Sequence, residues 1–220
     1  MVSLEEKARR EISGGDGGLS GVVSVGSGEL RSFSRLAEAL ASFREIHPQV
    51  SYEVFSGSAD GVRERIENGL VDVGLLLEPV DLGNCESFRI AQREEWGVLA
   101  RDGSGLAGKE HAGPEDLAGT PLFVPNRPSL REALSRWFGD LYGSADIVCG
   151  YNLLYNVALM ARKGLGAAIT LMLDSSYAGL RFVPLRPKLE GAVVLAWKKS
   201  AALSRTTGAF IEHAKNALQA

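Results

Sequence analysis

The 220-residue sequence predicts an α/β fold of two similar lobes with a ligand cleft between them. Three observations predict it. Residues 43–77 read without a break as helix end, strand, Gly/Ser turn, helix and strand. Residues 120–171 repeat that order of elements. The glycines fall in short clusters at the junctions rather than in a repetitive linker. Parallel strands that run into helix N-termini build crevices for small, often anionic ligands.

Taken in order, Leu4 to Ile12 read as the tail of a helix continued from upstream, followed by a flexible run from Ser13 to Gly18. Leu19, Val22, Val23 and Val25 predict a strand, Ser27-Gly28-Glu29 its turn with Ser27 as the helix N-cap. Phe33, Leu36, Ala37, Leu40, Phe43 and Ile46 predict the apolar face of a helix. Pro48 stops that helix, and Val50, Tyr52 and Val54 alternate as a strand. The turn from Ser56 to Asp60 opens a second helix, Asn68-Gly69 closes it, and Val71 to Leu77 is apolar enough for a buried strand. Phe88 to Ala91 and Trp96 to Ala100 flank a charged stretch and suit a strand or strand pair passing between lobes, whereas Arg101 to Gly119 reads as loop.

The second lobe then begins with strand Thr120 to Val124, turn Pro125 to Pro128, and a helix capped by Ser129 that shows Leu130, Ala133, Leu134, Trp137 and Phe138 on one face. Strand Ile147 to Cys149, helix Asn152 to Arg162, the stop Gly164 and strand Ala167 to Leu171 complete it. Val193 to Lys198 predicts a strand and Leu203, Phe210, Ile211, Ala214 and Leu218 a terminal helix, placed back on the first lobe because a bilobed fold needs a return connection. The expected organisation is a linker-helix remnant and flexible segment at 1–18, lobe I at 19–91 plus 193–220, and lobe II at 92–192.

Composition narrows the function. With 45% hydrophobic and 23% charged residues the chain reads as an ordinary soluble globular protein, and its net charge of −3 leaves no electrostatic footprint for nucleic acid. Cys85 and Cys149 lie far apart without CxxC or Cys/His spacing, so neither a disulfide framework nor a zinc site is expected, and no cofactor or metal is called for. The charged N-terminus lacks the apolar core of a secretory peptide, and no run of about 18 apolar residues exists. A cytoplasmic protein with reduced thiols is expected. His47, His111 and His213 fall in a helix terminus, a loop and the last helix, with no HExxH, GxSxG or P-loop pattern, so no enzyme chemistry is expected.

These residues resemble the effector-binding domain of LysR-type transcriptional regulators. The family's helix ending in Phe-x-x-x-Tyr-Pro, then strand, Gly-containing turn, helix and Gly-x-x-Asp-hydrophobic-hydrophobic, is similar to Phe43 to Leu77, with Gly69 and Asp72 in the matching places and His47 where tyrosine is usual. Asp116-Leu117-Ala118-Gly119-Thr120-Pro121-Leu122 resembles a second-lobe pattern and Gly164-Leu165-Gly166-Ala167 a late one, although Ile169-Thr170-Leu171 lacks the proline that commonly follows. The resemblance implies two Rossmann-like lobes of the type 2 periplasmic-binding-protein kind. It also implies a small-molecule effector, a homodimer or homotetramer, and DNA binding through a winged helix-turn-helix missing from this chain. It further implies that the helix 33–46 of one subunit lies beside one such as 152–162 of another.

The expected binding residues are those at the strand-to-helix turns. They are Ser27, Gly28 and Glu29, then Ser58, Asn126, Arg127 and Ser129, then Tyr151 and Asn152, with Thr170 at the end of a buried strand. Free backbone N–H groups and hydroxyls there suit a carboxylate or similar polar ligand, and Arg127 can pair an anion bidentately, while Glu29 opposes one unless it points away. Each serine could equally be an ordinary helix cap, and Trp137, Phe138 and Asp72 read as structural. The alternative reading is the solute-binding receptor of a transporter, which shares the bilobed fold but requires export; an enzyme on the same fold would need a nucleophile that the sequence does not name.

Overall fold

The computed structural model describes residues 18–199 and 203–219. The helix tail read at 4–12 and the run after it up to residue 17 lie outside the described residues. In order, the elements are β1 (Ser20–Ser27), α1 (Phe33–Ile46), β2 (Gln49–Ser56), α2 (Ala59–Glu67), β3 (Val73–Leu77), β4 (Cys85–Arg101), α3 (Pro114–Leu117), β5 (Leu122–Pro125), α4 (Pro128–Phe138), a 3-10 turn (Gly139–Ser144), β6 (Ile147–Tyr151), α5 (Leu154–Arg162), β7 (Ala167–Leu171), β8 (Leu180–Pro184), β9 (Glu190–Lys198) and α6 (Arg205–Gln219). The contacts divide the chain into two units. Unit 1 takes Met1–Gly28, Ser32–Gln92 and Ala192–Ala220; unit 2 takes Glu29–Arg31 and Arg93–Gly191.

In unit 1 the strand order is β2-β1-β3-β9. The first three are parallel, and β9 runs antiparallel to β3. All five residues of β3 are buried, as a parallel strand covered on both faces requires. Helix α2 approaches the sheet closely. A Cβ on Gly26 or Gly74 would meet Val62 Cγ1 at 2.5 or 2.7 Å, so the two glycines make the floor on which Val62 seats. Val62 and Ile66 then join Val71, Leu76 and Val194 in one core cluster. Helices α1 and α6 pack on each other through Phe43 and Phe210, whose rings meet edge to face at 5.4 Å.

Asp72 fastens the start of β3 to β1: its Oδ2 accepts from Ser24 N at 2.7 Å and from Ser24 Oγ at 2.8 Å, while Asp72 N donates to Ser24 O at 2.9 Å. That exchange explains both the structural reading of Asp72 and why the strand opens at Val73 rather than Val71. On α1 the buried residues are Leu36, Ala39, Leu40 and Phe43, whereas Ala37 and Ile46, expected on the apolar face, are exposed. Leu203, expected on the face of the last helix, precedes α6 and is exposed as well.

In unit 2, β5 lies between β6 and β7, parallel to both. Strand β4 pairs antiparallel with β7 and with β8. Strand β4 is a single 17-residue strand that leaves unit 1 at Gln92. Of the strand or strand pair expected there, a single strand forms. Three elements were unforeseen: α3, where Pro114 opens one helical turn inside the supposed loop, the 3-10 turn, and β8. Strand β8 lays the Phe182 ring over Gly97, where a Cβ would come within 2.1 Å of the ring. Leu154, Val157, Ala158 and Ala161 of α5 pack with Leu99, Phe123 and Ala168 as the core of this unit. Both units thus run strand, helix, strand, helix, glycine stop, strand; Gly69 and Gly164 take φ of 71° and 83°, a backbone that side chains disfavour.

Candidate functional site

In each unit the first strand feeds a helix that returns on one side and the second feeds a helix that crosses to the other, giving the orders β2-β1-β3 and β6-β5-β7. In open α/β sheets such a reversal leaves a crevice at the carboxyl ends of the two adjacent strands, here β1 and β3 in unit 1 and β5 and β7 in unit 2.

The unit 1 end is occupied with its own structure. Ser27 is buried as the last residue of β1, not the N-cap of α1; that place is Ser32, five residues on. Ser27 Oγ donates to Gly28 O at 2.9 Å, and Ser27 O accepts from Gly57 N at 3.0 Å, joining the ends of β1 and β2. A Cβ on Gly28 would lie 3.4 Å from Gly57 O, an ordinary contact. Ser58 is the N-cap of α2, its Oγ accepting from Gly61 N at 3.3 Å.

The unit 2 end is furnished differently. Asn126 N donates to Tyr151 O at 2.7 Å, and the Asn126 amide lies over Gly150, beside the Arg131 guanidinium; both occupy the space a side chain at 150 would fill. Arg131 Nε also donates to Pro125 O at 3.3 Å. Arg127 is buried at the N-cap of α4. Ser129 is therefore not the cap: Pro128, with its fixed φ and no N–H to satisfy, takes the first helical position and moves the boundary two residues earlier. Tyr151 OH donates to Ile169 O at 2.7 Å. Burial pushes this phenol well above its ordinary range; a hydrogen bond with the Thr170 side chain opposes the shift, and the charge of Glu29 adds to it. Tyr177, which no pattern singled out, is pushed up by burial and by the same Glu29.

Glu29 sits in the β1–α1 connection but packs with unit 2, where its Oε2 accepts from Leu154 N at 2.7 Å. Helix α5 begins at Leu154, not Asn152, and its N-cap is Leu153, whose side chain has no acceptor. Glu29 supplies the missing one, with the added attraction of a carboxylate for the helix N-terminus. The same connection is held by Arg31, whose Nε pairs with Asp174 Oδ1 at 2.8 Å and whose N donates to the buried Glu94 carboxylate at 3.1 Å. The expected anion position at the 150–152 turn is thus already taken by the chain's own carboxylate. Asn152 is exposed in that turn.

Of the ten expected residues, Glu29, Asn126, Tyr151 and Thr170 come together around the ends of β5, β6 and β7, with Arg127 and Asn152 in the adjoining turns and Ser129 in the first turn of α4. Ser27, Gly28 and Ser58 belong to unit 1. Sequence reasoning missed Arg131 and Tyr177. A positive residue one helical turn beyond Arg127 was a usable sign for the first; the second lies in an irregular stretch that carried none. Among the described residues, no group of three or more His, Cys, Asp or Glu could hold a metal ion, and no helix is long and apolar enough to cross a membrane.

Paired β-α-β-α-β units with polar turns at their reversal points define a type 2 periplasmic-binding-protein-like domain. The family model of the LysR substrate binding domain matches residues 16–219, and the chain belongs to that family, the ligand-sensing part of transcriptional regulators. An uncharacterized HTH-type transcriptional regulator of Bacillus subtilis, YvbU, is 24% identical over 217 residues, covering 93% of this chain and 70% of that protein. Two solved structures share the fold. HinK, a LysR family transcriptional regulator from Pseudomonas aeruginosa, has a TM-score of 0.74 at 21% identity, covering 91% of this chain and 72% of that one. The effector binding domain of QuiR in complex with shikimate has a TM-score of 0.81 at 16% identity, covering 91% and 98%.

Proposed function

We propose that the effector is a small organic anion held at the carboxyl ends of β5 and β7, with the Asn126 amide and the Arg127 and Arg131 guanidiniums on its charged group. Thr170, Tyr151, Ser129 and Asn152 are assigned to its margin. One observation carries the reading: the Asn126 amide and the Arg131 guanidinium meet over Gly150 near the end of β6, with Arg127 at the adjoining N-cap of α4, while the Glu29 carboxylate is turned onto the N-terminus of α5. The two-lobed organisation, 19–91 plus 193–220 and 92–192, is part of this reading.

Named relatives suggest the probes. QuiR was solved with shikimate and the CcmR regulatory domain of Synechocystis PCC6803 with 2-PG. Thermal-shift titration with these two and a wider panel of carboxylates is expected to raise the melting temperature with the logarithm of ligand concentration, about 2.7 kcal/mol of stabilisation at a hundredfold excess over Kd. Asn126→Leu is expected to abolish the rise; an undiminished shift in that variant would sink the assignment.

The domain acts as a sensor and not an enzyme. Two of its three histidines are engaged in packing: the His47 ring lies 4.7 Å from that of Phe43, and His213 Nε2 is 2.7 Å from Ser42 Oγ. In the cell it works in the cytoplasm as a homodimer or homotetramer, and reaches DNA through a winged helix-turn-helix outside this chain. The apolar side chains that support a dimer are Ile46 and Val54 on unit 1 and Val148, Tyr155 and Leu159 on unit 2, all exposed. Sedimentation is expected to show a dimer that Ile46→Glu and Tyr155→Glu each weaken.

A further inference from the structure

We infer a second ligand site in unit 1, a cavity of about 350 Å³ lined by Arg35, Ile90, Ala91, Gln92 and Leu218 that takes a small hydrophobic carboxylic acid. Its size falls at the lower end of the range for ligand pockets, about 300–1,000 Å³. Three elements wall it: α1 through Arg35, β4 through residues 90–92, and α6 through Leu218. None belongs to the strand reversals that frame the proposed effector site, so this inference stands independently of that one.

The lining specifies the ligand. Ile90 and Leu218 are both 4% exposed and make an apolar floor on which a small ring or branched chain can rest. Among the described residues of the lining Arg35 alone is charged, and its existing partners are distant. Nη2 donates to Ala217 O at 3.5 Å and Nη1 lies 3.6 Å from Glu38 Oε2, both at the outer limit of useful contact. Glu38 is 69% exposed, so its pairing with Arg35 is worth little. A ligand carboxylate entering the cavity offers the guanidinium a short, bidentate partner in less water, which is the stronger bond. The Gln92 amide can serve a second polar group. One guanidinium above an apolar floor favours a monoanion with a hydrophobic body over a phosphate or a sugar.

Occupancy would act on the chain at a defined place. Gln92 is the last residue of unit 1 along β4, so a ligand here would brace the strand just before it enters unit 2.

The test uses the whole chain with carbon-13 methyl labels on isoleucine and leucine, titrated with phenylacetate and, as the uncharged counterpart, 2-phenylethanol. Phenylacetate is expected to move the Ile90 and Leu218 methyl signals in a saturable manner, with 2-phenylethanol at least about tenfold weaker, roughly 1.4 kcal/mol. Arg35→Gln should weaken phenylacetate by a similar factor while keeping the dispersed spectrum of the folded protein. Ala91→Phe, which fills the rim without touching a charge, should block both compounds. Asn126→Leu should leave the response intact, so failure of the proposed effector site and failure of this one are distinguishable. The inference is overturned if no saturation appears up to roughly 10 mM, if acid and alcohol bind alike, or if Arg35→Gln is without effect.

Discussion

Units 1 and 2 are built to one plan yet use the ends of their strands in opposite ways. In unit 1 the polar groups serve the chain itself: Ser27 bonds to Gly28 O and Ser58 caps its own helix at the strand ends, while Asp72 with Ser24 fastens the start of β3 to β1. In unit 2 the corresponding helices start on residues that cannot cap, Arg127 before Pro128 and Leu153 before Leu154, and the turns carry longer polar side chains instead. A local cap consumes the hydroxyl or carboxylate that provides it. Where the cap is absent or comes from a distance, the turn is left to Asn126, Arg127 and Arg131, side chains long enough to reach a ligand. The same topology therefore yields one stiff end and one furnished end.

The sharpest way to break this contrast is to remove the fastening in unit 1. Asp72→Ala deprives Ser24 N and Ser24 Oγ of their acceptor in a residue that is 4% exposed, and leaving buried donors unsatisfied is expected to cost about 2–3 kcal/mol. At roughly 2–4 °C per kcal/mol for a chain of this size, the melting temperature should fall by about 4–12 °C. Amide exchange should quicken first at Ser24 and along β1. A loss smaller than about 1 kcal/mol would mean that the pair is replaceable and unit 1 less stiff than its bonding suggests.

Next in size is the long-range cap of α5. Glu29→Ala is expected to cost about 1 kcal/mol, seen as faster exchange of the Leu154 amide. Leu153 already has the extended backbone of a cap residue, φ −126° and ψ 135°, so Leu153→Ser should supply a local acceptor and restore most of the loss in the double variant. That rescue would turn the unit 2 pattern into the unit 1 pattern with one hydroxyl. Failure of Leu153→Ser to rescue would show that Glu29 contributes through its charge near Tyr151 and Tyr177 rather than through the helix end.

The order of elements was legible because it is written in local chemistry. Pro48 and Asn68-Gly69 stop helices where they stand, Gly164 does so again, and the burial of Val73 to Leu77 and of Ala167 to Leu171 follows from runs that are apolar but for Thr170. Boundaries were misread where two local preferences compete: Ser129 and Pro128 both favour a helix start, and the proline's fixed φ prevails. Strand β8 was overlooked because its partner, β4, lies some eighty residues away and its apolar alternation is only five residues long. The caps differ most. Ser58 acts within three residues and could be read, whereas Glu29 serves a helix 125 residues further along, and no spacing rule reaches that far. What brings Asn126, Tyr151 and Thr170 together is strand order, which follows from crossover geometry and not from any one segment.

The smallest expected effect concerns Tyr151, where burial and polar bonding meet at the furnished end. Its hydroxyl donates to Ile169 O, so Tyr151→Phe should cost about 0.5–1.5 kcal/mol without changing the fold. The pH dependence has a definite sign. Burial raises this phenol above its ordinary value of 10.0, and the folded state therefore holds the proton more tightly than the unfolded one. Stability from this group is fully present below about pH 10 and is lost as the pH climbs from there toward the raised folded value. Absorbance titration of the five tyrosines should accordingly show one phenol fewer ionising near pH 10 in the native protein than in the same chain unfolded in urea, beyond any other that burial delays, and Tyr151→Phe should remove that laggard alone. If the native titration of the variant were superimposable on that of the parent, Tyr151 would be in contact with water, and the end of β6 would be more open than its bond to β7 implies.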